Sequence, residues 1–128
     1  MSFITENMKW IMLASGVLTL SMLQAVIAPR ATIRSMFGED LTGDAAALVV
    51  RNWGGLVVGG GAMLIFAAYV PEWRPLVLIY VGTGKASFIA LVVARGGRYL
   101  TRQAGIAAAR DGVMVCLFVL YLLATRAG

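Results

Sequence analysis

Two ionisable residues stand inside stretches that otherwise read as hydrocarbon. Lys85 lies near the middle of the apolar run Pro75–Ala94, and Asp111 lies in the first half of the run Gln103–Thr125. A lysine at bilayer depth costs roughly 2.5–3.5 kcal/mol on insertion scales, so it is a candidate functional group with a partner to be found. The rest of the chemical inventory is sparse. There is no histidine, and the one cysteine, Cys116, falls mid-span. That removes the usual haem, bacteriochlorophyll and zinc ligand, the commonest general base, and any intramolecular disulfide. Only the Lys85 amine and the Asp111 carboxylate remain for covalent or proton chemistry. A retinal Schiff base on Lys85 is a poor fit, because four helices make a poor cage for that chromophore. The expectation is no enzyme, no cofactor and no metal site.

The elements that must position these residues are membrane spans. Of 128 residues, 60% are apolar and 13% charged, with a mean hydropathy of +0.85. A soluble domain needs more polar surface than this. A span takes about 20 residues, so the expectation is all-α: a single four-helix transmembrane bundle over residues 1–128, spanning Trp10–Ala28, Leu48–Val70, Pro75–Ala94 and Gln103–Thr125. In the fourth, Val113–Ala124 is too short to cross unaided, which places Asp111 inside the membrane. Val26-Ile27-Ala28 resembles a signal-peptidase site, but Pro29 follows it directly, so an uncleaved helix is expected.

The net charge of +5 does not point to nucleic acid, because the basic residues flank the spans. Four crossings put Lys9, Arg74 and Arg126 on one side. Arg30, Arg34, Arg51, Arg95, Arg98, Arg102 and Arg110 fall on the other. The positive-inside rule then places loops 1 and 3 in the cytoplasm and both termini outside, in a multi-pass bacterial inner-membrane protein.

Loop 1, Pro29–Ala47, is the long connection. Arg30 to Phe37 reads as an amphipathic interfacial segment, with arginines toward headgroups and Ile33, Met36 and Phe37 toward lipid. Gly38-Glu39-Asp40 signals a turn, and Thr42 or Asp44 is placed to cap the following helix. Loop 2, Pro71-Glu72-Trp73-Arg74, reads as a tight hairpin with Trp73 at the interface. Loop 3, Arg95 to Arg102, is short and basic and reads as a topology anchor on anionic headgroups.

Helices in lipid associate where small residues allow close approach. Span 2 carries a GxxxG pair at Gly55 and Gly59, with Arg51 one turn earlier. Span 3 carries Gly82, Ala86, Ala90 and Ala94, and span 4 carries Ala104, Ala108 and Gly112. Lys85 and Asp111 border these stripes, so Arg51, Lys85 and Asp111 are all expected to face helix contacts. Lys85 lies ten residues before Arg95 and Asp111 eight after Gln103, so both sit roughly 12–15 Å from the same surface. An ion pair between them is expected. The wider expectation is a polar cluster of Gln24, Arg51, Asn52, Thr83, Lys85 and Asp111 opening toward loops 1 and 3. Its two cations and one anion suit an anionic headgroup, a carboxylate or a quinone oxygen, with Tyr80, Phe88 and Trp53 as an apolar wall. A buried pair can equally do no more than fix helix register.

Arg51-Asn52-Trp53-Gly54, then Pro71-x-x-Arg74-Pro75-Leu76, then Gly84-Lys85-Ala86-x-Phe88, then Arg110-Asp111 resemble small bacterial four-helix DoxX-like membrane proteins over about the last 80 residues. The better-described members of that group sit beside membrane redox enzymes as small subunits. The resemblance therefore implies an accessory or ligand-binding subunit of a membrane complex, with lipids, a larger complex or a homo-oligomer as partners and no nucleic acid. The alternative is a small proton-coupled transporter working as a homo-oligomer. Small multidrug-resistance proteins of similar length use a glutamate in the first helix, and span 1 holds no acid between Trp10 and Ala28. Asp111 would have to relay the proton instead.

Overall fold

The computed structural model describes residues 2–95 and 99–127, apart from the side chains at 2, 126 and 127. Gly96, Gly97 and Arg98 of loop 3, and the Arg126 side chain, lie outside the described residues. The chain runs α1 (Ser2–Leu20), α2 (Leu23–Ile27), α3 (Pro29–Phe37), α4 (Asp44–Tyr69), a 3₁₀ turn at Pro71–Trp73, α5 (Arg74–Val93) and α6 (Gln103–Ala127). Four segments are long and apolar enough to cross a membrane: Phe3–Ile27, Asp44–Tyr69, Pro71–Val93 and Gln103–Thr125. The architecture is an all-α membrane bundle. The tightest neighbours are α1 with α4 and α5 with α6, and α4–α5 and α1–α6 close the ring.

The first span starts earlier than hydropathy suggests and is broken. Met8 and Met12 are fully buried, so the helix is extended by packing back to Ser2. Near Ser21 the ladder shifts to i→i−3 bonds (Gln24 N to Ser21 O, Ala25 N to Met22 O). The side chains compete locally: Thr19 Oγ1 donates to Ser15 O at 2.7 Å and Ser21 Oγ to Leu18 O at 2.6 Å. Such back-bonding bends helices. The bend lets α2 lean on α4 at Gly54, where an added Cβ would stand 2.7 Å from the Ala25 Cβ.

The helix contacts on α4 and α5 differ from the small-residue stripes. Gly55 and Gly59 are exposed, with nothing within 4 Å of an added Cβ. The close approach is made instead by Gly16 and Gly61, where a Cβ on Gly61 would meet Gly16 O at 2.9 Å and Leu20 N at 3.2 Å. At about 100° per residue, Gly54 and Gly61 share a face, whereas Gly55 and Gly59 turn well away from it. On α5, Ala86, Ala90 and Ala94 face outward, and Val77, Leu78, Val81, Lys85 and Val92 face inward. Small residues matter only where backbones nearly touch; elsewhere bulky side chains fill the gap. The stripe on α6 does turn inward, with Ala104 and Ala108 buried.

The main core lies toward the loop-2 end and unites Met8, Met12, Leu64, Ala67, Val77, Leu78, Val81, Met114, Phe118 and Tyr121. There Arg74 closes the C-terminus of α4: its guanidinium donates to Ala67 O at 3.2 Å and Ala68 O at 2.7 Å. These are among the carbonyls a helix end leaves without partners. At the opposite end, α4 takes no side-chain cap from Thr42 or Asp44. It starts after Gly43, whose φ of 89° is left-handed, and Asp44 pairs with Arg30 instead.

Loop 1 does contain the amphipathic helix α3, but its apolar face turns onto the bundle and not to lipid. Met36 is buried, and Ile33 and Phe37 are half-buried. Phe37 meets Tyr99 edge-on at 5.1 Å, Tyr99 Oη donates to Glu39 at 2.8 Å, and Ser35 Oγ donates to Gln103 Oε1 at 2.8 Å. Loops 1 and 3 are thereby tied together at one end of the bundle.

Candidate functional site

Lys85 and Asp111 meet. Lys85 Nζ donates to Asp111 Oδ1 at 2.9 Å, with the lysine side chain 8% and the aspartate 19% exposed. The equal depth follows from the α5–α6 hairpin. A third residue completes the contact: Lys85 Nζ donates to Thr19 Oγ1 at 3.0 Å, and the Thr19 hydroxyl in turn donates a hydrogen bond to Ser15 O. The chain Lys85–Thr19–Ser15 links α5 to α1, so the ammonium joins three helices. An ammonium has three N–H donors, and these two bonds leave one of them for another acceptor.

Thr19 and Ser15 were not candidates on sequence. Both are buried, yet mid-helix hydroxyls usually bond back to their own helix, so nothing in their spacing marks them. The available signal was their position about halfway along span 1, level with Lys85. Thr19→Val should lower stability by about 1–3 kcal/mol, since the isostere leaves one ammonium proton unpaired in a buried place. Thr19→Ser should restore most of it. Chemical unfolding in detergent micelles checks both.

The pair forms part of the wall of a cavity of about 640 Å³ lined by all four spans. Its polar wall is Thr19, Ser21, Thr83, Lys85, Arg110 and Asp111; the remainder is largely apolar. Trp53 and Phe88 stack across it at 6.1 Å with planes 22° apart, and Tyr80 lies alongside. Leu56 of α4 and Leu76, Ile79 and Tyr80 of α5 line it although they are exposed on the bundle's surface. The cavity is therefore open to the bundle's surroundings along α4 and α5. Met36 of α3 covers its loop-1 end, and Val81 and Met114 of the core form its floor.

The expected six-residue cluster is only partly assembled. Lys85, Asp111 and Thr83 share the cavity, although the Thr83 hydroxyl is committed to Ile79 O at 2.6 Å. Gln24, Arg51 and Asn52 are exposed and do not line it. Arg51 sits instead at the corner where α2 and α3 meet α4, apart from the Lys85 cavity. Arg110 supplies the second cation in place of Arg51. With Lys85 balanced by Asp111, Arg110 leaves the lining one positive charge in excess. Cys116 is exposed on the outer surface of α6. No protein-family model, curated protein or solved structure matches the chain.

Proposed function

We propose that this protein is a non-catalytic ligand-binding subunit of a bacterial inner-membrane complex, holding a lipid-soluble molecule with an anionic or carbonyl head. The observation that carries this reading is the lateral cavity with Lys85 in its wall. An apolar cleft with a few convergent polar groups is the usual form of a small-molecule site. The head would accept hydrogen bonds from the free Lys85 N–H and the Arg110 guanidinium, and the body would lie against Trp53, Phe88 and Tyr80. A quinone or an anionic lipid carries both parts. The resemblance to DoxX-like proteins points the same way, toward a small subunit beside a redox enzyme. The Lys and Arg bias puts loops 1 and 3 in the cytoplasm.

Proton-coupled transport is the weaker reading. Asp111 is engaged by Lys85, and the apolar block of Met8, Met12, Leu78 and Phe118 separates the cavity from the loop-2 end.

Native mass spectrometry of protein extracted gently from its membrane should show a retained mass of lipid or quinone size. Gly84 lines the cavity and has open space around an added Cβ. Gly84→Leu should therefore abolish retention while leaving the fold intact. Gly59→Leu, an equal change on a face outside the cavity, should retain the ligand. Wild-type protein that always emerges as a bare homodimer, together with proton-coupled uptake in liposomes abolished by Asp111→Asn, would replace this reading with transport.

A further inference from the structure

A second cavity, of about 580 Å³, lies apart from the Lys85 site, at the corner where α2, α3 and α4 converge beside loop 1. Its charged lining is Arg30, Arg51 and Asp44, and Ile27 and Leu48 form an apolar rim. Both rim residues face the bundle's surroundings, Ile27 at 70% and Leu48 at 69% exposure. Two guanidiniums against one carboxylate leave a positive excess.

The two arginines are held differently. Arg30 is fixed by loop 1: one terminal nitrogen donates to Leu41 O at 2.8 Å and the other reaches Asp44 Oδ1 at 3.4 Å. Asp44 therefore takes up part of Arg30's charge. Arg51 makes no hydrogen bond or ion pair among the described residues. Yet it lies seven residues along α4 from Asp44, roughly 10 Å into a segment that reads as a span. A guanidinium near the interfacial end of a spanning helix must snorkel outward or meet an oxyanion. Its planar fork matches two phosphate oxygens.

We propose that this corner is a specific site for an anionic phospholipid, its phosphate held between Arg51 and Arg30 and an acyl chain laid along Ile27 and Leu48. A soluble phosphate would use the charges but not the rim. A phospholipid uses both, and an excess positive charge favours headgroups that are net negative. The site shares no lining residue with the Lys85 cavity, so either can fail alone.

The test is native mass spectrometry of the full chain in a neutral detergent, titrated with phosphatidylglycerol or with phosphatidylcholine of the same acyl chains, and separately with inorganic phosphate. Phosphatidylglycerol should bind in preference. Arg51→Gln should weaken it about tenfold, the scale of one charge-assisted hydrogen bond, and erase the preference. Arg51→Lys should fall between, and Gly84→Leu should change nothing at this site. Because Arg51 is exposed, lipid-free Arg51→Gln protein should melt with the wild type. Leu48→Ser, which keeps both arginines and strips the rim, should also weaken the phospholipid and gives an independent arm. A preference that survives Arg51→Gln and Leu48→Ser overturns the proposal. So does displacement of phosphatidylglycerol by millimolar inorganic phosphate, which would assign the corner to a soluble anion.

Discussion

Lys85→Met should destabilise the folded protein by about 3–5 kcal/mol, because it strands the Asp111 carboxylate at a half-buried position without its counter-charge. Asp111→Asn should do comparable damage, because the amide oxygen that replaces the carboxylate can accept from the ammonium but carries no counter-charge for it. The decisive comparison is the double variant Lys85→Met with Asp111→Leu. Exchanging a buried pair for apolar groups of similar size is often neutral or better, so the double change should recover most of the loss. Swapping the charges should recover less. Thr19 Oγ1 accepts from Lys85 while donating to Ser15 O, so an aspartate at position 85 would require the hydroxyl to abandon Ser15. Equilibrium unfolding in mixed micelles of the two singles, the double and the swap measures the coupling. Loss in the double equal to the sum of the singles would mean that the two charges do not stabilise one another.

Gly61→Leu should be among the most damaging changes at the glycines of α4, at about 3 kcal/mol or more. Its new Cβ would stand 2.9 Å from Gly16 O and 3.2 Å from Leu20 N. Those are backbone atoms and cannot rotate aside, so α1 and α4 would have to separate, at the upper end of what overpacking costs. Separation would also draw Thr19, three residues from Gly16, away from Lys85. Gly59→Leu, two residues earlier, should stay within about 1 kcal/mol of wild type, since nothing lies within 4 Å of its added Cβ and leucine is the better helix former. Thermal unfolding and folded yield in detergent check the contrast. Equal damage at both positions would mean that the Gly55–Gly59 face is covered by a second chain.

The reach of the sequence can be judged from these same residues. That Lys85 and Asp111 would lie level followed from counting residues outward from loop 3, because rise per residue in a helix is constant. That Arg51 would join them did not hold. Depth is one coordinate and facing is another, and facing depends on how each helix is rotated about its axis. The GxxxG pair at Gly55 and Gly59 misled for the same reason: small residues permit close approach but do not compel it, and Gly16 with Gly61 serves that purpose instead. Arg110 and Thr19 entered the site through the resulting rotation.

Legible in the residues alone were the helical membrane class, the number and approximate places of the spans, the amphipathic segment after Pro29 and the common level of Lys85 and Asp111. All of these rest on hydropathy, helix-breaking residues and a fixed rise, which are local properties of the chain. Which faces meet, and that α3 packs over the Lys85 cavity instead of lying on lipid, came from the folded bundle. Those outcomes depend on contacts between residues far apart in sequence, such as Gly16 with Gly61 and Thr19 with Lys85. Within a bilayer no general apolar driving force selects among helix rotations, so particular close contacts must.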